Sequence, residues 1–182
     1  MQLEDIDILR LDALEHERTR SVRLYRLPID PESQLRLKIY RQGGLVTLSD
    51  VVPVLEYFGF RVLKETPTRL DNDSAHIHEF AVSLADASAA DPIMERAEVI
   101  EAAIAAVLEG RAENDVFNQL LVSASLDPRD IVLFRAWFRY LRQTGLSYSM
   151  QTVVDSLRRA PQVTNGLIAL FDARHDPEAA SA

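Results

Sequence analysis

The stretch Leu35–Pro67, LRLKIYRQGGLVTLSDVVPVLEYFGFRVLKETP, most constrains what this chain can fold into. Leu35, Leu37 and Ile39 alternate with Arg36, Lys38 and Tyr40. A period of two sends the aliphatic side chains to one face of a strand and the charged stems to the other. On that assignment Leu37→Asp buries an unpaired charge and costs several kcal/mol, whereas Lys38→Asp costs little. Gly43 and Gly44 supply the backbone freedom for a turn. Thr47 or Ser49 can then cap a helix, Asp50 suits its positive N-terminus, and Pro53 belongs in its first turn. Val51, Val54, Leu55 and Phe58 form the buried stripe of that helix, and Gly59 stops it. Phe60–Leu70 reads as the next strand, interrupted at Pro67.

Leu70-Asp71-Asn72-Asp73-Ser74 reads as a turn, and Ala75–Leu84 as a third strand with Phe80, Val82 and Leu84 facing one way. A β-α-β-β order with short links predicts an antiparallel sheet with a helix packed on one face. It is the first two-thirds of a ferredoxin-like, ACT-like unit over residues 20–85. Its second helix is expected at 92–109. A closing strand should follow, but 115–126 looks helical. The early β-prone run Val22–Leu27 can fill the vacant edge position.

The composition shifts at the Ala/Ser/Asp link 86–91, and the rest, 91–177, reads as a helical bundle. Asp91-Pro92 and Asp127-Pro128 each pair a capping residue with a proline at the first helical position. The helix opened at Asp127 runs to Gly145. It carries two apolar stripes, Ile131/Phe134/Phe138/Leu141 and Leu133/Trp137/Tyr140, so it is expected to be central. Ser149 can cap a further helix and Pro161 can open another. Residues 1–19 and 178–182 read as termini. The fold class is thus α+β: an antiparallel sheet with packed helices, followed by an all-α bundle.

Function is written far more faintly. A net charge of −8 repels phosphates and lowers the prior for nucleic acid binding. No apolar run approaches a membrane span, and no cysteine is present to serve as nucleophile or thiolate ligand. The six glycines form neither a GxGxxG nor a P-loop pattern, so no cofactor is expected in this chain. His76 and His78 share a strand face at a metal-like spacing, but no third ligand is evident; two polar residues near a strand end is the favoured reading. Carboxylate pairs such as Glu95/Glu98 and Glu113/Asp115 sit among solvated helix ends, and the tyrosines Tyr40, Tyr57, Tyr140 and Tyr148 are assigned to packing. No residue is assigned a catalytic role. The remaining candidate is a basic strip, Arg135, Arg139 and Arg142, spaced four and three along one helix face. It can dock an acidic partner, or be an ordinary salt-bridged surface.

Several stretches, in the same order and spanning about residues 20–177, resemble the large bacterial NAD-dependent glutamate dehydrogenases. They are LKIYR, LSDVVPVLE and FGFRV within Leu35–Val62; Ile77-His78-Glu79-Phe80; DVFNQLLVSASLDPRDIVLFRAWFRYLRQTGLSYS; and ALFDARHDP. The resemblance implies an ACT-like domain plus the helical region ahead of a catalytic domain. Such a parent enzyme converts glutamate and NAD to 2-oxoglutarate, ammonium and NADH. Its catalytic lysine, nicotinamide-binding domain and glutamate pocket lie in parts absent here, so no catalytic or cofactor residue carries over. The chain then reads as a cytoplasmic fragment with a regulatory or assembly role. Its partners would be the rest of the parent enzyme, other subunits and an amino-acid effector, with no nucleic acid and no membrane. The alternatives are a free-standing ACT-like amino-acid sensor and a helical interaction module.

Overall fold

The computed structural model describes residues 5–12, 14, 20–43, 46–70 and 75–175. The expected turn at 71–74, Gly44 and the C-terminal tail lie outside them. The chain forms two compact units, 1–115 and 116–182.

The first unit is built on a four-stranded antiparallel sheet of β1 (Arg20–Tyr25), β2 (Gln34–Gln42), β3 (Arg61–Leu70) and β4 (Ala75–Ser83), in the order β1-β2-β4-β3. The edge place that a C-terminal strand fills in a ferredoxin-like unit is taken by β1, which precedes the unit in sequence. Val22 sits opposite Ile39, and Leu24 opposite Leu37. The early β-prone run therefore does complete the sheet.

The two faces of the sheet differ in kind. Leu24, Leu37 and Phe80 fall in one cross-strand row, and Leu35 pairs with Val82 in the next. Helix α2 (Leu48–Tyr57) and helix α4 (Ala97–Leu108) cover this apolar face, touching β3 and β1 respectively and each other. Val51, Val54, Leu55 and Phe58 of the α2 region are buried there, as are Ile100 and Ile104 of α4. Helix α2 starts at Thr47, which makes no side-chain cap. It ends where Gly59, at φ +90°, lets Phe60 N–H reach back to the Leu55 carbonyl at 3.0 Å. A left-handed residue at this place closes the last carbonyls of a helix.

The opposite face carries Arg23, Arg36, Lys38, Tyr40 and Glu79, but it is not simply solvated. Helix α1 (Asp5–Asp12) lies against it, with Leu11 and Leu14 joining Tyr40, Ala75 and Ile77 in an apolar cluster. Lys38 is 3% exposed. The expectation that Lys38→Asp costs little is therefore corrected, and Asp5–Asp12, within the stretch read as a terminus, forms a helix. A helix remote in sequence covers the charged face and brings its own carboxylate.

Strand β3 runs unbroken through Pro67, opposite His78, against the expected interruption. An edge strand bonds on one side only, so a missing amide is tolerated there. The expected helix at 92–109 is two helices, α3 (Ala90–Glu95) and α4, divided at Arg96 with φ −110° and ψ 20°. Asp91 is not the cap, because a 3-10 turn at Ala87–Ala89 starts the coil before it.

The second unit holds a 3-10 turn, Val116–Asn118, then α5 (Gln119–Ser123), α6 (Pro128–Gln143), α7 (Met150–Arg159) and α8 (Pro161–His175). The helical reading of 115–126 is cut short where Ser125 turns to φ +53°. Asp127 and Asp130 form the capping box of α6, with Asp127 N–H donating to Asp130 Oδ2 at 3.0 Å. Ser149 caps α7 by accepting from Thr152 N–H at 3.1 Å. Phe117, Leu120, Leu121, Ile131, Phe134 and Phe138 fill the core, and Phe117 meets Phe138 edge-on at 5.8 Å. Tyr140 and Tyr148 are exposed, so packing does not account for them, and the α6 stripe through Leu133 and Trp137 is only half-buried.

Candidate functional site

Three groups of side chains carry the chemistry of the described residues. The first locks α1 to the sheet. Lys38 Nζ donates to Asp7 Oδ2 at 2.8 Å, and Tyr40 Oη donates to Asp7 Oδ1 at 2.6 Å. Arg23 stands 3.8 Å from the same carboxylate. Burial, reinforced by the Asp7 hydrogen bond and charge, pushes the Tyr40 hydroxyl well above the ordinary phenol range. Alongside, Arg36 forks onto both oxygens of Asp30 and reaches Glu79 at 2.9 Å, while Tyr25 Oη donates to the other Glu79 oxygen at 2.7 Å. The Arg36 hydrogen bond holds the Asp30 carboxyl below its usual range, and Arg36 is correspondingly harder to deprotonate.

The second group seals the free edge of β1. Glu101 of α4 accepts from Leu24 N–H at 2.7 Å and pairs with Arg10 of α1 at 2.9 Å. Arg10 donates to the Val22 carbonyl at 2.6 Å, and Glu109 accepts from Arg20 N–H at 3.3 Å. The Arg20 guanidinium donates to the Leu108 carbonyl. Its pKa is lowered by burial and by Arg41, which sits directly opposite on β2. An edge strand whose outward groups are bonded in this way cannot recruit another strand. Between α1, β1 and α4 lies a groove of about 610 Å³, with Arg20, Glu98 and Glu101 among its polar walls and Ile6, Leu9 and Ala102 among its apolar ones.

The third group is the arginine strip of α6, which the structure divides. Arg135 is buried, and its Nη2 donates to Asn118 Oδ1 at 2.6 Å, fastening α6 to the 3-10 turn before α5. Arg139 and Arg142 are exposed on the same helix. Arg129, in the first turn of α6, pairs with Asp172 of α8 at 2.8 Å. Arg135 is thus a structural fastening, and the outward strip consists of Arg139 and Arg142. Sequence spacing could not make that division, because Asn118 is seventeen residues away.

The two strand histidines lie near the start of β4. His76 and His78 are buried, and His78 Nδ1 lies 2.7 Å from Glu65 Oε1. Among the described residues no group of three His, Asp or Glu side chains is placed to hold a metal ion. No helix among them is long and apolar enough to cross a membrane.

Taken together, the fold defines a class: an ACT-like α+β unit whose sheet is closed by a preceding strand, followed by a short helical unit. Sequence comparison makes this specific. Residues 19–94 match the ACT3 domain of glutamate dehydrogenase, and residues 112–177 match its helical motif 3. The chain belongs to the glutamate dehydrogenase family, as a segment carrying that ACT domain and helical motif. It is 34% identical over 172 residues to the NAD-specific glutamate dehydrogenase of Pseudomonas aeruginosa, and 32% over 173 residues to that of Halomonas elongata. It is 33% identical over 164 residues to that of Mycobacterium tuberculosis. These alignments cover 93%, 94% and 86% of the chain, but only 11%, 11% and 10% of the relatives. The chain spans about a tenth of the length of the curated relatives it matches.

Proposed function

We propose that this chain is a non-catalytic assembly and regulatory segment of a longer cytoplasmic NAD-dependent glutamate dehydrogenase. The observation that carries this reading is its near-complete alignment with about a tenth of enzymes named for that activity. The buried ionic groups add support, since Asp7, Lys38, Glu101 and Arg135 are each engaged in fastening one element to another. In the longer polypeptide, glutamate and NAD would be handled by other regions; the six glycines here form no pyrophosphate cradle. The exposed pair Arg139 and Arg142 on a helix anchored by Arg135 is the surface we assign to docking against acidic groups of neighbouring domains or subunits.

Charge reversal tests this assignment. Arg142→Glu, alone and with Arg139→Glu, leaves this chain cooperatively folded. In the full-length enzyme it weakens subunit assembly or lowers turnover. Unchanged assembly and turnover in the double variant would refute a docking role for the strip.

A second reading, a small amino-acid effector bound by the ACT-like unit, is favoured by the groove between α1, β1 and α4. Its volume lies in the range of small-molecule sites, and it sets guanidinium and carboxylate groups around apolar walls. Calorimetry of the chain with glutamate and other amino acids tests it. Binding heat at sub-millimolar ligand, abolished by Glu98→Ala, supports a sensor, and its absence removes the reading.

A further inference from the structure

Helix α8 is apolar on two sides. One side, Thr164, Ile168 and Phe171, faces the core of the second unit. The other, Val163, Leu167 and Leu170, repeats at i, i+4 and i+7 and stands in the open, 62%, 39% and 53% exposed. Such a spacing places three large side chains in one stripe about 10 Å long.

The stripe continues into a groove of about 340 Å³ between α7 and α8, walled by Val153, Leu157, Val163 and the exposed Tyr148. The threonine and serine hydroxyls that line this groove are already bonded within the unit. Thr152 Oγ1 bonds Ser149 Oγ at 2.8 Å, and Ser156 Oγ donates to the Thr152 carbonyl at 2.9 Å. Thr164 Oγ1 donates to the carbonyls of Leu157 at 2.8 Å and Ala160 at 3.1 Å. The groove therefore offers hydrocarbon and very little polar recognition. An occupant gains by burying apolar side chains and loses by bringing polar ones.

We infer that the α7–α8 groove and the outward stripe of α8 seat an amphipathic helix supplied by the same longer polypeptide. This rests on the reading of the chain as a segment of a longer enzyme. Two arguments select this occupant over a second copy of the chain. A stripe two turns long with one short groove falls well below the ~800 Å² per partner that stable independent association buries. A tethered segment needs no such area, because linkage gives it an effective concentration of about millimolar. The chain makes up only about a tenth of its relatives, so most of such a polypeptide lies outside it and can supply the helix. The geometry is that of a helix in a groove, read by apolar side chains at i, i+3/i+4 and i+7.

Hydrogen exchange read by mass spectrometry on the full-length enzyme and on this chain tests the inference. Peptides from 161–170 are expected to exchange about tenfold or more slowly in the full-length enzyme. Val163→Asp with Leu170→Asp abolishes that difference in the enzyme and leaves the melting temperature of this chain unchanged, both side chains being exposed. Equal exchange in the two contexts overturns the inference, as does protection that survives the double variant. Protection in this chain alone that rises with its concentration assigns the surface to a second copy, and likewise overturns it. The readout is independent of assembly and turnover. A failure of the arginine-strip test and a failure here are therefore distinguishable.

Discussion

Lys38 shows how far the surroundings of one residue can depart from its place in an alternating pattern. Its neighbour Leu37 points into the apolar face and Lys38 into the charged one, as the alternation requires. Yet Lys38 is as buried as a core residue, because Asp7 arrives from helix α1 to neutralise it. Lys38→Asp brings a second carboxylate against Asp7 and is expected to cost about 3–5 kcal/mol, the penalty for breaking a buried pair. Thermal melts should show it as damaging as Leu37→Asp; a loss of under 1 kcal/mol would mean that α1 does not hold this face. Asp30 supplies the pH dependence. Its folded pKa is depressed, so its contribution is fully present above the unfolded value of about 3.9 and is lost as pH falls through the folded one. Melting curves of Asp30→Asn and the unaltered chain should stand apart at pH 6 and converge in acid below about pH 4. A gap of constant size down to pH 2 would exclude the Arg36–Asp30 fork as its source.

At the scale of elements, helix ends are where sequence and structure agree best. The Asp127-Pro128 box, Ser149 and Pro161 each open a helix, and Gly59 and Gly145 each follow one in left-handed conformation. Two glycines give opposite expectations. Gly145 has φ +97° and open space where a side chain would project, so Gly145→Ala meets backbone strain alone and should destabilise by about 1–2 kcal/mol. Gly166 lies inside α8, also with open space, so Gly166→Ala should stabilise by up to about 1 kcal/mol. Denaturant midpoints of the two variants shifting in the same direction would contradict the helix-end assignment. The break between α3 and α4 shows the opposite case. Neither glycine nor proline marks Arg96, and the divide was not legible in the sequence.

The molecule as a whole holds its largest surprise at the N-terminus. The domain drawn from sequence, 20–85 with its second helix at 92–109, omits α1, and a cut at residue 85 removes α4 as well. Those helices, with Glu109 at the end of α4, supply Asp7 for Lys38, Glu101 and Glu109 for the edge of β1, and Ile100 and Ile104 for the core. A fragment of residues 1–115 is expected to melt cooperatively by circular dichroism, and one of residues 20–85 is not. Cooperative melting of the shorter fragment at the same temperature would show these contacts to be dispensable. What the sequence determined by itself is local or periodic: the strand faces around Leu37 and Phe80, the capped starts of α6 and α7, and the glycine stops. These depend on interactions within a few residues, where side-chain type and spacing decide the outcome. Its resemblance to the glutamate dehydrogenases was legible too, because it runs along the chain. Tertiary structure alone decided that the charged face is covered, that Glu101 seals the free edge of β1, and that Arg135 turns inward to Asn118. Each joins groups from separate elements, 11 to 91 residues apart in the fastenings of α1, β1 and α6. No periodicity within one segment records which distant partner will arrive to satisfy a buried charge or an open strand edge.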